Sequence, residues 1–322
     1  MLNRTIKLAA AGLALTLGFA QAAHADYPER AVTVVVPFSA GGNTDTIARI
    51  VSDHLSKELG QPVVIENRGG GGGSVGSKLV AGAEPDGYTL LFATAGSHSV
   101  NPVLRDVGYD PLADFDPVSV AVISSVLIVV HPSVEAQTLE ELIALTSGGA
   151  PLNYASGGVG TVAHVAGELY NEKTGSSLTH VPYKGAGDAM NDLLAGRVHI
   201  YMNNIPSFIA HVGTGAVRPL ALAAKKRSEL LPDVPTTGEA GLEGMEMGSW
   251  YGLVAPDGTP PEAIGRLYDA MKTMPQSEEL KKRLASIGTE VTVSDSPEQF
   301  GQFMEEELAW WRKVLDNPVF RQ

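Results

Sequence analysis

The chain has 322 residues, no cysteine and a formal net charge of −13 at pH 7. The lack of cysteine excludes disulfides, thiolate metal sites and thiol nucleophiles. The acidic balance argues against nucleic acid or an anionic membrane surface as the main partner. With 44% hydrophobic residues, a chain of this length is expected to form about two domains with separate cores.

The first 25 residues have the pattern of an export signal. Arg4 and Lys7 precede an apolar stretch from Leu8 to Ala20, and Ala23-His24-Ala25 predicts cleavage after Ala25. An uncleaved membrane anchor is the less favoured alternative. Cleavage removes two positive charges, so the net charge changes from −13 to −15 in the remaining 297 of the 322 residues. We therefore expect a secreted, periplasmic protein.

The rest of the chain alternates between strand-like and helix-like segments, a pattern typical of parallel α/β sheets. The first series predicts strands at 31–36, 62–65 and 88–93 and helices at 44–59 and 74–80. Residues 118–130 predict one long strand, or two strands broken near Ser124. A second βα series, which includes a strand predicted at 198–202, continues to residue 223.

The end of the chain predicts three helices, which start at the capping residues Thr259, Ser277 and Ser296. Since these helices have no strands of their own, we expect them to dock on the first sheet. The predicted organisation is a discontinuous domain I (residues 26–124 plus 249–322) and a domain II (125–248). We expect a monomer.

Two glycine-rich segments, one in each half, follow an apolar run and lead into a predicted helix. They are Pro37 to Asp45 and Ala155 to Thr161. Backbone N–H groups at a helix N-terminus carry partial positive charge and bind anions. The pair predicts one small anionic ligand held between two lobes. Asp45 is explained equally well as a capping residue or as a site residue.

Enzyme motifs are present but incomplete. Gly71-x-Gly73-x-x-Gly76 matches a dinucleotide fingerprint, but the acidic residue expected about 20 residues later is missing. The alternative function is a secreted α/β-hydrolase with Ser74 as nucleophile, for which Asp188 and His199 are candidate partners. The histidines show no metal-ligand spacing, so we expect no metal and no cofactor.

Small polar residues also follow two predicted strands, at Thr94 to Asn101 and at Tyr183 to Gly185. Ligands of open parallel sheets bind beyond the carboxyl ends of strands. Turn chemistry alone would explain the glycine and serine content of these segments, though not their position after strands. His98 and His164 each lie in a polar segment rich in Gly, Ser and Thr beside a predicted strand end.

Several ordered blocks of the sequence resemble the Bug-type, or TctC-like, extracytoplasmic solute receptors of tripartite tricarboxylate transporters. The blocks are Tyr27-Pro28-Glu29-Arg30, Pro37-Phe38-x-x-Gly41-Gly42-x-x-Asp45-x-x-Ala48-Arg49, Glu66-Asn67-Arg68, Pro85-Asp86-Gly87-Tyr88-Thr89-Leu90, Ser156-Gly157-Gly158-x-Gly160-Thr161-x-x-His164, Val181-Pro182-Tyr183-Lys184-Gly185, Leu231-Pro232-Asp233-Val234-Pro235-Thr236 and Gly252-Leu253-x-Ala255-Pro256-x-Gly258-Thr259-Pro260. They extend over nearly all of the chain after the export signal.

The resemblance implies a type II-like periplasmic-binding-protein fold, in which two α/β domains joined by crossing strands close on a ligand. It implies a non-enzymatic receptor that passes a small organic carboxylate to integral-membrane transporter subunits. Carried over by position, the residues expected to line the cleft are Phe38, Ala40, Gly41, Gly42, Asn43, Asp45, Thr94, Gly96, Ser97, His98, Asn101, Ser156, Gly157, Gly160, Thr161, His164, Tyr183, Lys184, Asn203 and Trp250.

Two positions in one segment depart from the family pattern. Where the family commonly has an Asp, this chain has Asn203 in Met202-Asn203-Asn204, and His199 replaces a second Asp. An acid near the cleft would suit an ammonium group. Its replacement by a neutral amide favours a mono- or dicarboxylate over an amino acid.

Overall fold

The computed structural model describes residues 27–316; the predicted export signal and its cleavage site lie outside the described residues. The first lobe begins with three parallel strands, with β1 in the middle. Its opening elements are β1 (Val32–Val36), α1 (Asn43–Leu59), β2 (Val63–Asn67), α2 (Ser74–Ala81), β3 (Thr89–Thr94) and the short α3 (Asn101–Leu104). Because β1 is almost entirely valine and buried, it has the composition of a parallel strand covered on both faces.

A single long strand, β4 (Phe115–Val130), passes from one lobe into the other. Its residues 115–125 pair antiparallel with β9 (Gly248–Pro256), and residues 126–130 pair with strands of the second lobe. The predicted strand at 118–130 is therefore one continuous strand, without a break at Ser124. The pairing changes between Ser125 and Val126, whereas the predicted domain boundaries stay a prediction.

The second lobe continues the alternation of strands and helices. Its elements are α4 (Leu139–Ser147), β5 (Asn153–Ser156), α5 (Val162–Thr174), β6 (Thr179–Pro182), α6 (Ala186–Leu194), β7 (Ile200–Asn204), α7 (Ile209–Val212) and β8 (Arg218–Ala223). The connected sheet has the order β2-β1-β3-β9-β4-β7-β5-β6, and β8 also pairs with β4. The carboxyl ends of the parallel strands lie where the two lobes face each other.

The three closing helices pack against elements of the first lobe. They are α8 (Pro261–Lys272), α9 (Glu278–Ala285) and α10 (Pro297–Val314), with the two-residue β10 (Glu290–Val291) pairing with β4. Helices α8 and α9 share a buried cluster with α1. Phe300, Met304 and Trp311 of α10 belong to the larger core cluster. Within residues 27–316, no helix is both long and apolar enough to cross a lipid bilayer.

Two predicted boundaries are wrong in informative ways. The cap of α8 is Pro260, because the Thr259 hydroxyl donates instead to the carbonyl of Pro256 at 2.8 Å. The strand predicted at 198–202 runs from Ile200 to Asn204. This shift places Asn203 and Asn204 at the carboxyl end of β7, where they face the other lobe.

Adjacent tryptophans test the docking of α10. Trp311 is 2% exposed in the core, whereas Trp310 is 46% exposed. Replacing a buried tryptophan by alanine removes packing worth about 3–5 kcal/mol. We expect Trp311→Ala to lower the free energy of unfolding by that amount in urea titrations. Trp310→Ala, the matched control, should lower it by about 1 kcal/mol or less. Equal effects of the two variants would contradict the assigned orientation of the helix.

Candidate functional site

A cavity of about 40 Å³ lies between the lobes, at the carboxyl ends of β1, β3, β5, β6 and β7. This is the position at which open α/β sheets bind ligands. Both lobes contribute to its lining, which consists of Phe38, Asn43, Thr44, Thr94, Gly96, Gly157, Thr161, Val162, Ala163, Ala186, Asn203, Asn204, Ser249 and Tyr251.

The first glycine loop brings the N-terminus of α1 to the cavity. Gly41 has a φ of +78°, a backbone conformation that favours glycine. Gly42 is the N-cap of α1 and offers no side-chain acceptor to the first turn. Because the first amides of a helix have no intrahelical acceptor, those near Asn43 and Thr44 are available to a ligand.

Asp45 holds this loop in place from outside the cavity lining. Its carboxylate accepts hydrogen bonds from the Gly41 N–H at 2.9 Å and Asn67 Nδ2 at 3.0 Å, and it pairs with Arg49. Asn67 Nδ2 also lies 3.2 Å from the Phe38 carbonyl. Burial alone would raise the pKa of Asp45, but the hydrogen bonds from Arg49, Gly41 and Asn67 outweigh it and lower the pKa.

The second glycine loop brings the N-terminus of α5 to the cavity. The Thr161 side chain caps this helix by accepting from the His164 N–H, which leaves the amides of Val162 and Ala163 at the cavity. The Ser156 hydroxyl accepts from the Gly158 N–H at 3.0 Å and lies 2.6 Å from Nε2 of His180. Since neither Ser156 nor His180 belongs to the cavity lining, these contacts hold the loop from outside the lining.

A third helix N-terminus, that of α6, also opens into the cavity. Its first residue, Ala186, is part of the lining, and its N-cap is Gly185, which has no capping side chain. The N-termini of α1, α5 and α6 therefore converge on one small space. The sequence predicts two of these three.

The floor of the cavity is a neutral hydrogen-bond network that joins the lobes. Asn43 Nδ2 donates to the Tyr251 hydroxyl at 2.6 Å, and this hydroxyl donates to Asn204 Oδ1 at 3.0 Å. Asn204 Nδ2 in turn donates to the carbonyl of Ser124 on β4 at 2.6 Å. The first lobe, the second lobe and the crossing strand thus share one polar cluster.

The lining carries no charge in the described part of the chain. It includes no Asp, Glu, Lys, Arg or His, and burial raises the pKa of Tyr251, which keeps its phenol neutral. An anion in this cavity is attracted by backbone amides and neutral side chains. A cation would find no opposite charge among the lining residues.

The structure brings part of the expected set together. Phe38, Asn43, Thr94, Gly96, Gly157, Thr161 and Asn203 line the cavity. A second group lies in or against the loops that carry the lining: Ala40, Gly41, Gly42, Asp45, Ser97, Asn101, Ser156, Gly160 and His164. Ligand contact by this second group stays a prediction.

The remaining four residues are directed elsewhere. The His98 ring is 1% exposed and packs against Tyr109, Phe115 and Trp250, and burial lowers its pKa to about 3. Trp250 itself packs on Phe300. The Tyr183 hydroxyl donates to Asp192 at 2.7 Å, and Lys184 is exposed outside the lining.

The lining residues that sequence reasoning misses are neighbours of predicted ones. Ser249 and Tyr251 flank Trp250 on β9, and alternate strand residues point to opposite faces. Applied to β9, this alternation predicts that Ser249 and Tyr251 face the cavity if Trp250 does not. Thr44, Val162 and Ala163 lie in the first turn of α1 or α5, where the backbone amides have no intrahelical acceptor. This rule, applied to the predicted helices, would identify them as lining residues. Ala186 and Asn204 give no comparable signal.

The parts of the alternative hydrolase are not assembled. Ser74 is the first residue of α2, and no hydrogen bond joins its hydroxyl to a histidine or carboxylate in the part of the chain that the structure describes. His199 Nδ1 lies 2.8 Å from Asn153 Oδ1 in the second lobe. Across residues 27–316 there is also no cluster of three or more His, Cys, Asp or Glu side chains that could hold a metal ion.

The lowered pKa of Asp45 makes a testable contribution to stability. A carboxyl whose pKa is lower in the folded than in the unfolded protein stabilises the fold above its unfolded pKa, near 3.8. This contribution is lost as the pH falls through the lowered value. We expect Asp45→Asn to be less stable than the wild type at pH 7 by about 1–3 kcal/mol. The difference should shrink on acidification below pH 3.8 in denaturant titrations.

The control removes another carboxylate of the same helix. Asp53 is 58% exposed and pairs with Arg283, so Asp53→Asn should cost about 1 kcal/mol or less. A pH-independent difference between wild type and Asp45→Asn would contradict the assigned role.

Comparison with known proteins agrees with this geometry. The family model described as "Tripartite tricarboxylate transporter family receptor" matches residues 47–318. Protein BugT of Bordetella pertussis is 33% identical over 319 residues, 98% of each chain. Two solved structures from Rhodopseudomonas palustris are also similar, each over 90% of this chain. Rpa4515 with adipate is 38% identical over 98% of its chain (TM-score 0.87), and MatC with bound malate is 35% identical over 100% of its chain (TM-score 0.86).

The matches extend along nearly all of the described chain, and the sheet order and the cleft belong to the same periplasmic-binding-protein architecture. Receptors of this family are periplasmic and bind solutes. The protein therefore belongs to the receptor family of the tripartite tricarboxylate transporters.

Proposed function

We propose that this receptor captures a small organic carboxylate in the cavity between its lobes and delivers it to the membrane subunits of a tripartite tricarboxylate transporter. The observation that carries the proposal is the convergence of three helix N-termini, those of α1, α5 and α6, on one uncharged cavity. Hydrogen bonds to an ionised group contribute about 1.5–3 kcal/mol each, so a few of them support micromolar affinity.

Both lobes must be in contact with the same anion for it to stabilise closure. The α1 amides belong to the first lobe, and those of α5 and α6 belong to the second. A carboxylate that accepts hydrogen bonds from both binds the closed form more tightly than the open form. This difference in affinity is the free energy available for closing the lobes.

The chemistry of the lining favours a carboxylate without an ammonium group. Asn203 lies where the family commonly has an acid, and its Nδ2 already donates to Tyr201 at 2.9 Å and Ser207 at 3.0 Å. No acidic side chain in the described lining would pair with an amino group. Malate and adipate, which are bound by two similar proteins, are suitable first probes.

A charge introduced at Asn203 should reverse the preference. Asn203→Asp places a negative charge beside the bound anion, and we expect it to weaken carboxylate binding by at least about tenfold. The same change should increase stabilisation by amino acids. Melting temperatures with malate, adipate, glutamate and aspartate, followed by calorimetry, measure both effects.

Asn191→Asp is the matched control, because it adds the same charge on the exposed surface of α6. It should leave the preference unchanged. If amino acids stabilise the wild type more than mono- or dicarboxylates do, the proposed ligand class is wrong.

Delivery is tested separately, by uptake of the labelled ligand into proteoliposomes that contain the membrane subunits. Uptake that does not depend on the receptor would exclude the delivery role.

A further inference from the structure

Beside the cavity, the backbones of the two lobes touch along a closure seam, formed by residues 39–42 of the first lobe and 184–187 of the second. A Cβ placed on Gly187 would lie 2.6 Å from the Ala40 carbonyl oxygen and 3.4 Å from the Gly42 nitrogen. A Cβ placed on Gly42 would lie 3.2 Å from both the Ala186 Cβ and the Gly187 nitrogen. The lobes could not approach this closely if a side chain stood at Gly187.

A second contact on the other glycine loops has the same character. A Cβ on Gly158 would lie 3.1 Å from the Gly72 nitrogen, and one on Gly72 would overlap the carbonyl oxygen of Val159. A Cβ on Gly160 would overlap the Asn101 side-chain amide. The lobes therefore also meet closely at a second place, where glycines of the second lobe contact the main chain of Gly72 and the side chain of Asn101.

The seam allows closure but supplies little attraction. Within the described chain, no salt bridge and no hydrogen bond connects residues 39–42 with 184–187. Lys184 is exposed and takes part through its carbonyl, which lies 3.0 Å from a Cβ placed on Gly69. Most of the free energy of closing therefore comes from contacts outside the seam: the hydrogen bonds of Asn43 and Tyr251 to Asn204 and, under the proposed function, the bound ligand.

We infer that Gly187 sets the affinity of the receptor without touching the ligand, because it determines whether the lobes can close. This inference rests on the proposed function, in which an anion between the lobes stabilises the closed form. Gly187 is absent from the cavity lining. Its obstacle in the other lobe is main chain, which cannot move aside as the end of a flexible side chain can.

Alanine can replace Gly187 without straining the local backbone. Gly187 lies in the first turn of α6 with ordinary helical backbone, so alanine there suits the local conformation. We expect Gly187→Ala to fold with an unchanged or higher melting temperature and to bind the best carboxylate of the panel at least about tenfold more weakly, because the competent closed form becomes rarer.

A matched control exists in α8. Gly265 is also a helical glycine, but a Cβ placed on it would have no atom within 4 Å. Like Gly187→Ala, Gly265→Ala replaces a helical glycine by alanine and raises the helix propensity of its position, but it adds no atom at the closure seam. It should retain wild-type affinity. Equal affinities for wild type, Gly187→Ala and Gly265→Ala would overturn the inference.

Closure itself can be measured, because the chain has no cysteine. Spin labels at Leu79→Cys and Asn191→Cys, exposed positions in the first and second lobes, report the distance between the lobes. We expect the short-distance population, with and without malate or adipate, to be smaller in Gly187→Ala than in the wild type and in Gly265→Ala.

The outcomes separate the two proposals. If no carboxylate stabilises or closes the wild type, the proposed function is wrong, and the inference is judged on the distance distributions recorded without ligand. If those distributions are identical in wild type and Gly187→Ala, the seam does not control closure, whatever the ligand. A lower melting temperature of Gly187→Ala would also contradict the inference, since it would show a structural role instead.

Discussion

An anion held by uncharged donors is the interaction on which this account depends. The protein carries a net charge of −13, so its overall field repels a carboxylate. The cavity lining provides no cationic side chain to compensate. The remaining source of attraction is the partial positive charge at helix N-termini, which is strongest where the amides are desolvated and have no intrahelical acceptor. Glycine N-caps at α1 and α6 keep these amides free of capping side chains.

The same geometry connects binding to conformational change. The donors come from both lobes, and the lobes are joined by β4, which pairs with the first sheet up to Ser125 and with the second from Val126. The cluster of Asn43, Asn204 and Tyr251 lies on this crossing and is bonded to the Ser124 carbonyl. A ligand above this floor is therefore close to the strand that crosses between the lobes. Neutral partners suit that position, since a charged pair there would carry a large desolvation cost.

Much of the architecture follows from the sequence, because local signals agree with the global fold. The valine-rich β1, the spacing of apolar residues in α1 and the caps Ser277 and Ser296 each identify an element with small boundary errors. The glycine loops identify two of the three helix N-termini at the cavity, since each loop lies between a predicted strand and a predicted helix. The third, at Ala186, has no comparable composition.

The individual site residues are less predictable. The family resemblance predicts that Trp250 and His98 line the cleft, whereas both rings are buried and pack against each other in the core of the first lobe. Asp45, for which the sequence leaves a capping role and a site role open, holds the loop that forms the cleft, and its contact with a ligand stays a prediction. Such differences depend on which face of an element is buried, and this is decided by packing between segments that are distant in sequence.

The most direct measurement is the response of the backbone amides themselves to a bound carboxylate. Amide proton shifts of Thr44, Val162, Ala163 and Ala186 can be followed by nuclear magnetic resonance during titration with the carboxylate that stabilises the protein most. Downfield shifts are expected in both lobes at the same ligand concentration, because one anion accepts hydrogen bonds from both sets of amides. Shifts confined to one lobe, or to side chains outside the cavity, would contradict it.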